Sequence, residues 1–518
     1  MPLYKSITTI RKFVAVAALF AETALFAATA SAAPSSEQSA ALDRITANSL
    51  RGHLSFIASD LLEGRGTPSR GQDLAAEYIA AQYRRAGLEP LGDDAYFQSA
   101  NWTWTETDTT GFVLTLHARG QHLALPLKQV SFTPGAALTA RGAAIIKANW
   151  NDLAPLDALG AAVNGAVVLV EPPEIHARSM AEYEQMMAAR DAVLARIAQR
   201  KPLLVLALNR ARLNGDSGGR GTVTDPATPA RHSPVPVVTL HGEQAAALVA
   251  ALPFGATAAT LDLTLAAARV EAIKLRNVAA LLRGSDPLLK DTYVVLSAHY
   301  DHLGIRPGME GDNIFNGAND DGSGTVSVIE IASAFAGMKE RPKRSVLFLN
   351  VFGEELGMLG SRYYGRHPLV PLAKTVANLN LEQVGRTDGP RGPNVGRAAL
   401  TGYDFSSLPA TIEKAGAETG VEIYKDKKLN ERYFGQSDNA ALAALGVPAH
   451  TLSVLYEFAD YHKAGDHWDK IDYANMAKVT RAAALGVLML ADDPAPPRWN
   501  EAHALTAPYV KAQKGLDK

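Results

Sequence analysis

Apolar and polar positions alternate in two clear registers along this chain. Leu42, Ile45, Leu50, Leu54 and Ile57 recur at helical spacing and predict helix. Leu74, Tyr78 and Ala81 form one stripe of a second helix over Gln72 to Ala86, with Gly87 as its stop. Between the two, Glu63-Gly64-Arg65-Gly66-Thr67 reads as a loop. Trp102 and Trp104 alternate with polar residues, as in a strand whose large rings serve as packing. From about Phe112 to Val270 short valine- and alanine-rich runs alternate with turns. Ala166 to Val170, Leu203 to Leu208 and Val235 to Leu240 read as strands, Met180 to Gln199 as a helix, and Gly215 to Gly221 as a loop. This stretch predicts a small β-rich domain inserted into a larger one.

The strand pattern resumes at Arg276 to Leu282, and two fully apolar runs follow. Tyr293 to Leu296 leads into Ser297-Ala298-His299-Tyr300-Asp301-His302. Ser345 to Phe352 leads into Gly353-Glu354-Glu355. Between them lies the glycine-rich loop Gly317 to Gly324. Val328, Ile331, Ala332 and Phe335 then recur at helical spacing, so the loop ends in a helix N-terminus, which favours anionic groups. Val376 to Leu381 reads as another strand, ending at Glu382. Met476, Val479, Ala483, Val487 and Leu490 predict a late amphipathic helix, with a peripheral proline-rich stretch and tail after it. The fold class expected is α/β: a mixed, mostly parallel central sheet flanked by helices. In such sheets ligands bind beyond the carboxyl ends of the strands, where the acids and histidines here begin.

Composition narrows the chemistry. The 518 residues suffice for two or three domains. A net charge of -2 gives no electrostatic case for nucleic acid. There are no cysteines, so any metal must be held by His, Asp and Glu. At the N-terminus Lys5, Arg11 and Lys12 precede the apolar run Phe13 to Phe20, and Ala30-Ser31-Ala32 fits cleavage before Ala33. The expectation is export to the periplasm or exterior, with no membrane anchor after cleavage.

A hydrolytic two-metal site needs hard or borderline ligands, a carboxylate shared by both ions and a base for the attacking water. His299, Asp320, Glu354, Glu355, Glu382 and His462 can supply each. Asp301 can orient His299 through its other ring nitrogen. Taken singly these are weak signals: adjacent glutamates are usually a solvated helix start, and Asp-Asp-Gly is usually a turn. Their joint occurrence, each at a strand end or loop, makes the case.

Ala298 to Gly304, Gly317 to Gly324, Phe352 to Gly357, Asn380-Leu381-Glu382 and Tyr461-His462 together resemble the di-zinc aminopeptidase family of bacterial leucyl aminopeptidases and aminopeptidase Y, related to glutamate carboxypeptidase. The resemblance covers about Leu50 to Thr110 and Arg276 to Leu490. It implies a zinc-peptidase type of sheet and two zinc ions per chain, though other divalent metals fit such ligands. It implies that Asp320 bridges the ions, with His299 and Glu382 on one and Glu355 and His462 on the other. Glu354 is then the general base, Tyr461 a donor to the oxyanion, and Asp301 a support behind His299. A cis peptide is implied after Asp320. The family more often has Asp where Glu382 stands, and His467 is an extra histidine that reads as a loop residue or a spurious ligand. Phe434, Ser437 and Asp438 fall in a segment that lines the specificity pocket of relatives.

The insert resembles a protease-associated domain at Asn164 to Val170 and Val235 to Val238. The domain plan expected is therefore a signal peptide over 1–32, a discontinuous catalytic domain over 33–111 and 271–495, the insert over 112–270 and a tail over 496–518. The activity implied is hydrolysis of N-terminal peptide bonds, with peptide or protein N-termini as substrate. A carboxypeptidase or dipeptidase on the same scaffold, and a non-catalytic peptide-binding protein, remain open on these motifs.

Overall fold

The computed structural model describes residues 34–132, 135–175, 180–210, 221–228, 233–306 and 309–516. The expected signal segment lies outside the described residues. Six strands of a ten-stranded sheet position the site: β1 (Phe97–Glu106), β2 (Arg269–Leu282), β3 (Tyr293–His299), β4 (Ser345–Val351), β5 (Thr375–Leu381) and β6 (Ala449–Ser453). Their order across the sheet is β6-β5-β3-β4-β2-β1. The middle is parallel: β3 pairs with β4 and β5, and β5 with β6. β2 runs antiparallel to β4 and β1 on one flank. Every residue of β4 is buried, as are six of the seven in β3. This is why both read as unbroken apolar runs rather than alternating ones: a central parallel strand is covered on both faces.

The covering helices include α1 (Ala47–Ile57), α2 (Gly324–Ala336) and α3 (Tyr473–Asp492). The apolar spacing from Leu42 to Ile57 is split in the structure. One helix ends at Asp43 and the next starts after Thr46, whose side chain accepts the Ser49 N–H and caps it. Helix Arg70–Ala86 ends at Gly87 in the left-handed conformation, as a helix stop requires.

An eight-stranded mixed sheet takes its strands from between Val113 and Leu265. It carries its own apolar clusters, one around Leu206 and Leu261 and another around Val168 and Val205. Helices Met180–Ala198 and Glu243–Ala250 lie in the same stretch. One short strand of the stretch, Thr222–Thr224, joins the central sheet by pairing with β1, and contacts unite Pro34–Lys518 into one unit. The tail is not peripheral, as the sequence pattern led us to expect. Trp499 is buried, donates from its indole to the Gly446 carbonyl at 2.9 Å and packs against Phe434 and Tyr509. A single large aromatic outside any periodic run gives no pattern, so its burial was not legible.

Candidate metal centre

The parallel register sets β3, β4 and β5 side by side, with His299 opposite Val351 and Ser297 opposite Asn380. All three strands therefore finish at one edge, and the chemistry-bearing residues follow directly. His299 ends β3. Glu354 and Glu355 begin the turn just after β4, and Glu382 follows the last residue of β5. Asp320 comes from the loop between β3 and α2, and His462 from the loop after β6.

His299 is fully buried. Its Nδ1 lies 3.2 Å from the Asp301 carbonyl oxygen, which as acceptor fixes the proton on that nitrogen and leaves the Nε2 lone pair free. Nε2 lies 3.4 Å from Asp320 Oδ1. The Asp301 carboxylate stands 3.6 Å from the ring and is engaged elsewhere: it accepts from the Thr67 hydroxyl at 3.0 Å and from the Glu354 N–H at 3.1 Å. Support for His299 thus comes through the Asp301 backbone, while the Asp301 side chain ties the base-bearing turn to the N-terminal segment.

Asp320 is held from behind by Asp466, a buried carboxylate that accepts the Asn319 N–H at 2.9 and 3.0 Å and the Asp320 N–H at 3.1 Å. The Asp320–Asp321 peptide is cis. Asp321 Oδ1 accepts N–H groups from Gly324 and Gln383, joining the start of α2 to the exit of β5. A Cβ at Gly324 would lie 2.4 Å from that carboxylate, so this turn needs glycine. On the other side of Asp320, His462 Nε2 stands 3.2 Å from Asp320 Oδ2 and 3.3 Å from Glu355 Oε2. Tyr461 stacks on the His462 ring at 4.0 Å between centroids.

Two groups of three potential ligand atoms emerge, each within 4.8 Å of one another: His299, Asp320 and Glu382, and His302, Asp320 and Glu355. Several of these atoms are buried without a hydrogen-bond partner, namely His299 Nε2, Glu355 Oε1, Glu382 Oε2 and both His302 ring nitrogens. An unpaired buried polar group costs about 1–3 kcal/mol, so such a concentration needs compensation. A cation with a preference for imidazole and carboxylate supplies it, and the donor set fits zinc.

Burial is the main electrostatic influence. It pushes the Glu354 carboxyl well above its ordinary range, reinforced by Glu382, Asp438 and Glu355 and opposed by His299. Burial also raises the Tyr461 phenol, with Asp320 and Glu382 adding to the effect. Asp438 is lifted to about 6, again mainly by burial, and accepts from the Ser361 hydroxyl.

The structure brings His299, Asp320, Glu355, Glu382 and His462 together, with Asp301, Glu354 and Tyr461 beside them. His467 stands apart and pairs with Asp312 at 3.1 Å. Phe434 is buried against Phe405 and Trp499 rather than open to a pocket. Four residues of the site were not assigned from sequence: Arg65, Thr67, His302 and Asp466. Arg65 is fully buried and donates to four carbonyl oxygens, those of Ile57, Tyr300, Asn316 and Gly317, at 2.6–2.8 Å. Burial lowers its pKa to about 10, while Asp301, Asp466, Asp321 and Asp320 oppose that. Nothing in a Gly-Arg-Gly loop separates such a buried cation from a solvated one.

Residues 277–487 match the family described as "Peptidase family M28". Over this segment the chain is similar to M28 peptidases. The match runs from the last six residues of β2 through most of α3 and so contains β3, β4, β5 and β6, the strands that deliver the site. A "Probable zinc metalloprotease" of Pyricularia oryzae is 31% identical over 207 residues, 39% of this chain and 38% of the relative. A "probable leucine aminopeptidase 2" of Aspergillus oryzae is 28% identical over 251 residues, 42% of this chain and 45% of the relative. The chain therefore spans less than half the length of these curated relatives. The aminopeptidase from Aneurinibacillus sp. strain AM-1 superposes with a TM-score of 0.60 at 20% identity, covering 90% of this chain and 97% of that one. That likeness reaches well beyond the M28 segment and establishes the fold.

Proposed function

We propose that this chain is an exported di-zinc aminopeptidase that hydrolyses N-terminal peptide bonds. One observation carries the reading: four potential ligands from separate strand ends and loops converge on Asp320, with the half-buried carboxylate of Glu354 next to them. The relatives named zinc metalloprotease and leucine aminopeptidase support the same class. His299, Asp320 and Glu382 would hold one ion, and Asp320, Glu355 and His462 the other. Zinc ions bound there would supply Lewis acidity and lower the pKa of the attacking water.

The chain's own residues do the rest. Glu354 takes the proton of the attacking water and passes it to the leaving amine. Asp301 fixes the turn by accepting the Glu354 N–H. The Tyr461 hydroxyl stays protonated and donates to the developing oxyanion, a contribution of about 2.7–4 kcal/mol where such donors have been removed. Residues 112–270 act as a protease-associated-like insert, and residues 1–32 as the export signal. Among the described residues no helix is long and apolar enough to cross a membrane.

The test is Glu354→Gln in zinc-loaded protein. Metal content should stay at the wild-type level while turnover of amino-acid p-nitroanilides falls by roughly 10²–10⁴-fold. Normal turnover would remove Glu354 from its role. Cleavage of N-blocked peptides with free C-termini, in place of the p-nitroanilides, would move the activity to a carboxypeptidase.

A further inference from the structure

We propose that His302 is a direct ligand on the Asp320–Glu355 side of the site, giving that side a second histidine beside His462. The inference rests on the metal-site reading above. The His302 side chain is fully buried. It is seated against Gly317, in the loop that leads to Asp320: a Cβ there would lie 2.4 Å from the ring's Cγ. The ring can occupy this place only because that position is glycine.

Its surroundings are those of a ligand rather than of a packed core histidine. Neither ring nitrogen has a hydrogen-bond partner among the described residues. Nδ1 lies 2.7 Å from Glu355 Oε1, yet that oxygen is also without one. At that separation a donor and a carboxylate ordinarily form a strong charge-assisted hydrogen bond. Here the two atoms are close without the alignment of a donor and an acceptor, and the nearness of His302 helps hold the Glu355 carboxyl below its ordinary range. His302, Asp320 and Glu355 meet the same 4.8 Å test as His299, Asp320 and Glu382. His462 approaches the same two carboxylates through their other oxygens, Asp320 Oδ2 and Glu355 Oε2, and is 37% exposed. The pair of carboxylates thus has one imidazole on its interior side and one on its solvent side.

This makes the two halves unequal. One ion would have four protein ligands, His302, His462, Asp320 and Glu355. The other would have three, His299, Asp320 and Glu382. Four protein ligands close a zinc site, whereas three leave a position open for water or substrate. The open position then belongs to the His299 side, and the His302 side binds its ion more tightly.

The experiment titrates chelator-treated full-length protein with Zn(2+) by calorimetry, and with Co(2+) by visible absorption, for wild type, His302→Ala and His302→Asn. Asparagine places an amide nitrogen near the Nδ1 position, so it keeps a donor to Glu355 but loses the imidazole lone pair. The proposal expects both variants to lose about 100-fold or more in affinity for one of two ions, with the other ion unaffected and the cobalt absorption of one site altered. Wild-type affinity in His302→Asn would overturn it in favour of a hydrogen bond to Glu355. Unchanged binding in both variants would overturn it outright. Circular dichroism of the metal-free proteins checks folding, and His302→Asn decides alone if His302→Ala does not fold. Wild-type protein that takes up no divalent ion would defeat the metal-site reading itself, a result distinct from a failure confined to the variants.

Discussion

The pH dependence of stability can be worked from one residue remote from the metal ligands. His450 sits in β6, fully buried. Its Nδ1–H donates to the Thr401 carbonyl at 2.7 Å, and its Nε2 accepts from the Ser406 hydroxyl at 2.6 Å. Both ring nitrogens are satisfied in the neutral form. Burial lowers its pKa from 6.5 to about 4, with the Thr401 bond opposing the shift. The folded chain therefore binds fewer protons here than the unfolded chain between those values. The stabilisation from keeping His450 neutral is complete above pH 6.5 and is lost as the pH falls toward 4. The loss is about 2 kcal/mol at pH 5 relative to pH 7.5 and approaches about 3 kcal/mol below pH 4. Urea unfolding of wild type and His450→Gln at pH 7.5 and 5.0 measures it. Groups common to both proteins cancel, so wild type should lose about 2 kcal/mol more than the variant on acidification. A difference between the two that does not change with pH refutes the reasoning.

Three further outcomes follow from the packing. Trp499→Ala removes a buried indole and its bond to Gly446, and should cost about 3–5 kcal/mol in denaturant unfolding; a surface-like cost under about 0.5 kcal/mol would return the tail to the periphery. Gly324→Ala forces a Cβ to 2.4 Å from both the Asp321 carboxylate and the Leu381 carbonyl, so it should lower the melting temperature and the bound metal together; an unchanged melt would show that the turn can open freely. Thr67→Val deletes the hydroxyl that donates to Asp301 and accepts from the Gln72 amide, and kcat should fall about tenfold with KM and metal content kept, since the turn carrying Glu354 loosens while no ligand is touched; loss of metal instead would assign Thr67 to ligand support.

The apolar runs of β3 and β4 were legible because a strand covered on both faces needs nothing but apolar residues, and the acids and histidines at their ends stood out against that background. The spacing from Leu42 to Ile57 showed helix but not the break in it, since apolar spacing carries across a gap that the Thr46 cap marks. Arg65 was invisible as a site residue for a different reason. Its partners are main-chain carbonyls from three distant segments, and a carbonyl has no sequence signature. Asp466 and Thr67 likewise act through backbone N–H groups or through another side chain.

Local order in the sequence decided which strands and helices form, because burial on one face or two leaves a periodic imprint on neighbouring residues. It also decided the inventory of ligands, since a chain without cysteine can offer a metal only histidine and carboxylate. What folding alone decided is which of those groups meet. The parallel register of β3, β4 and β5 brings residues more than 80 positions apart to one edge. There the distances among imidazoles and carboxylates, and not their spacing along the chain, determine whether a cation can be shared.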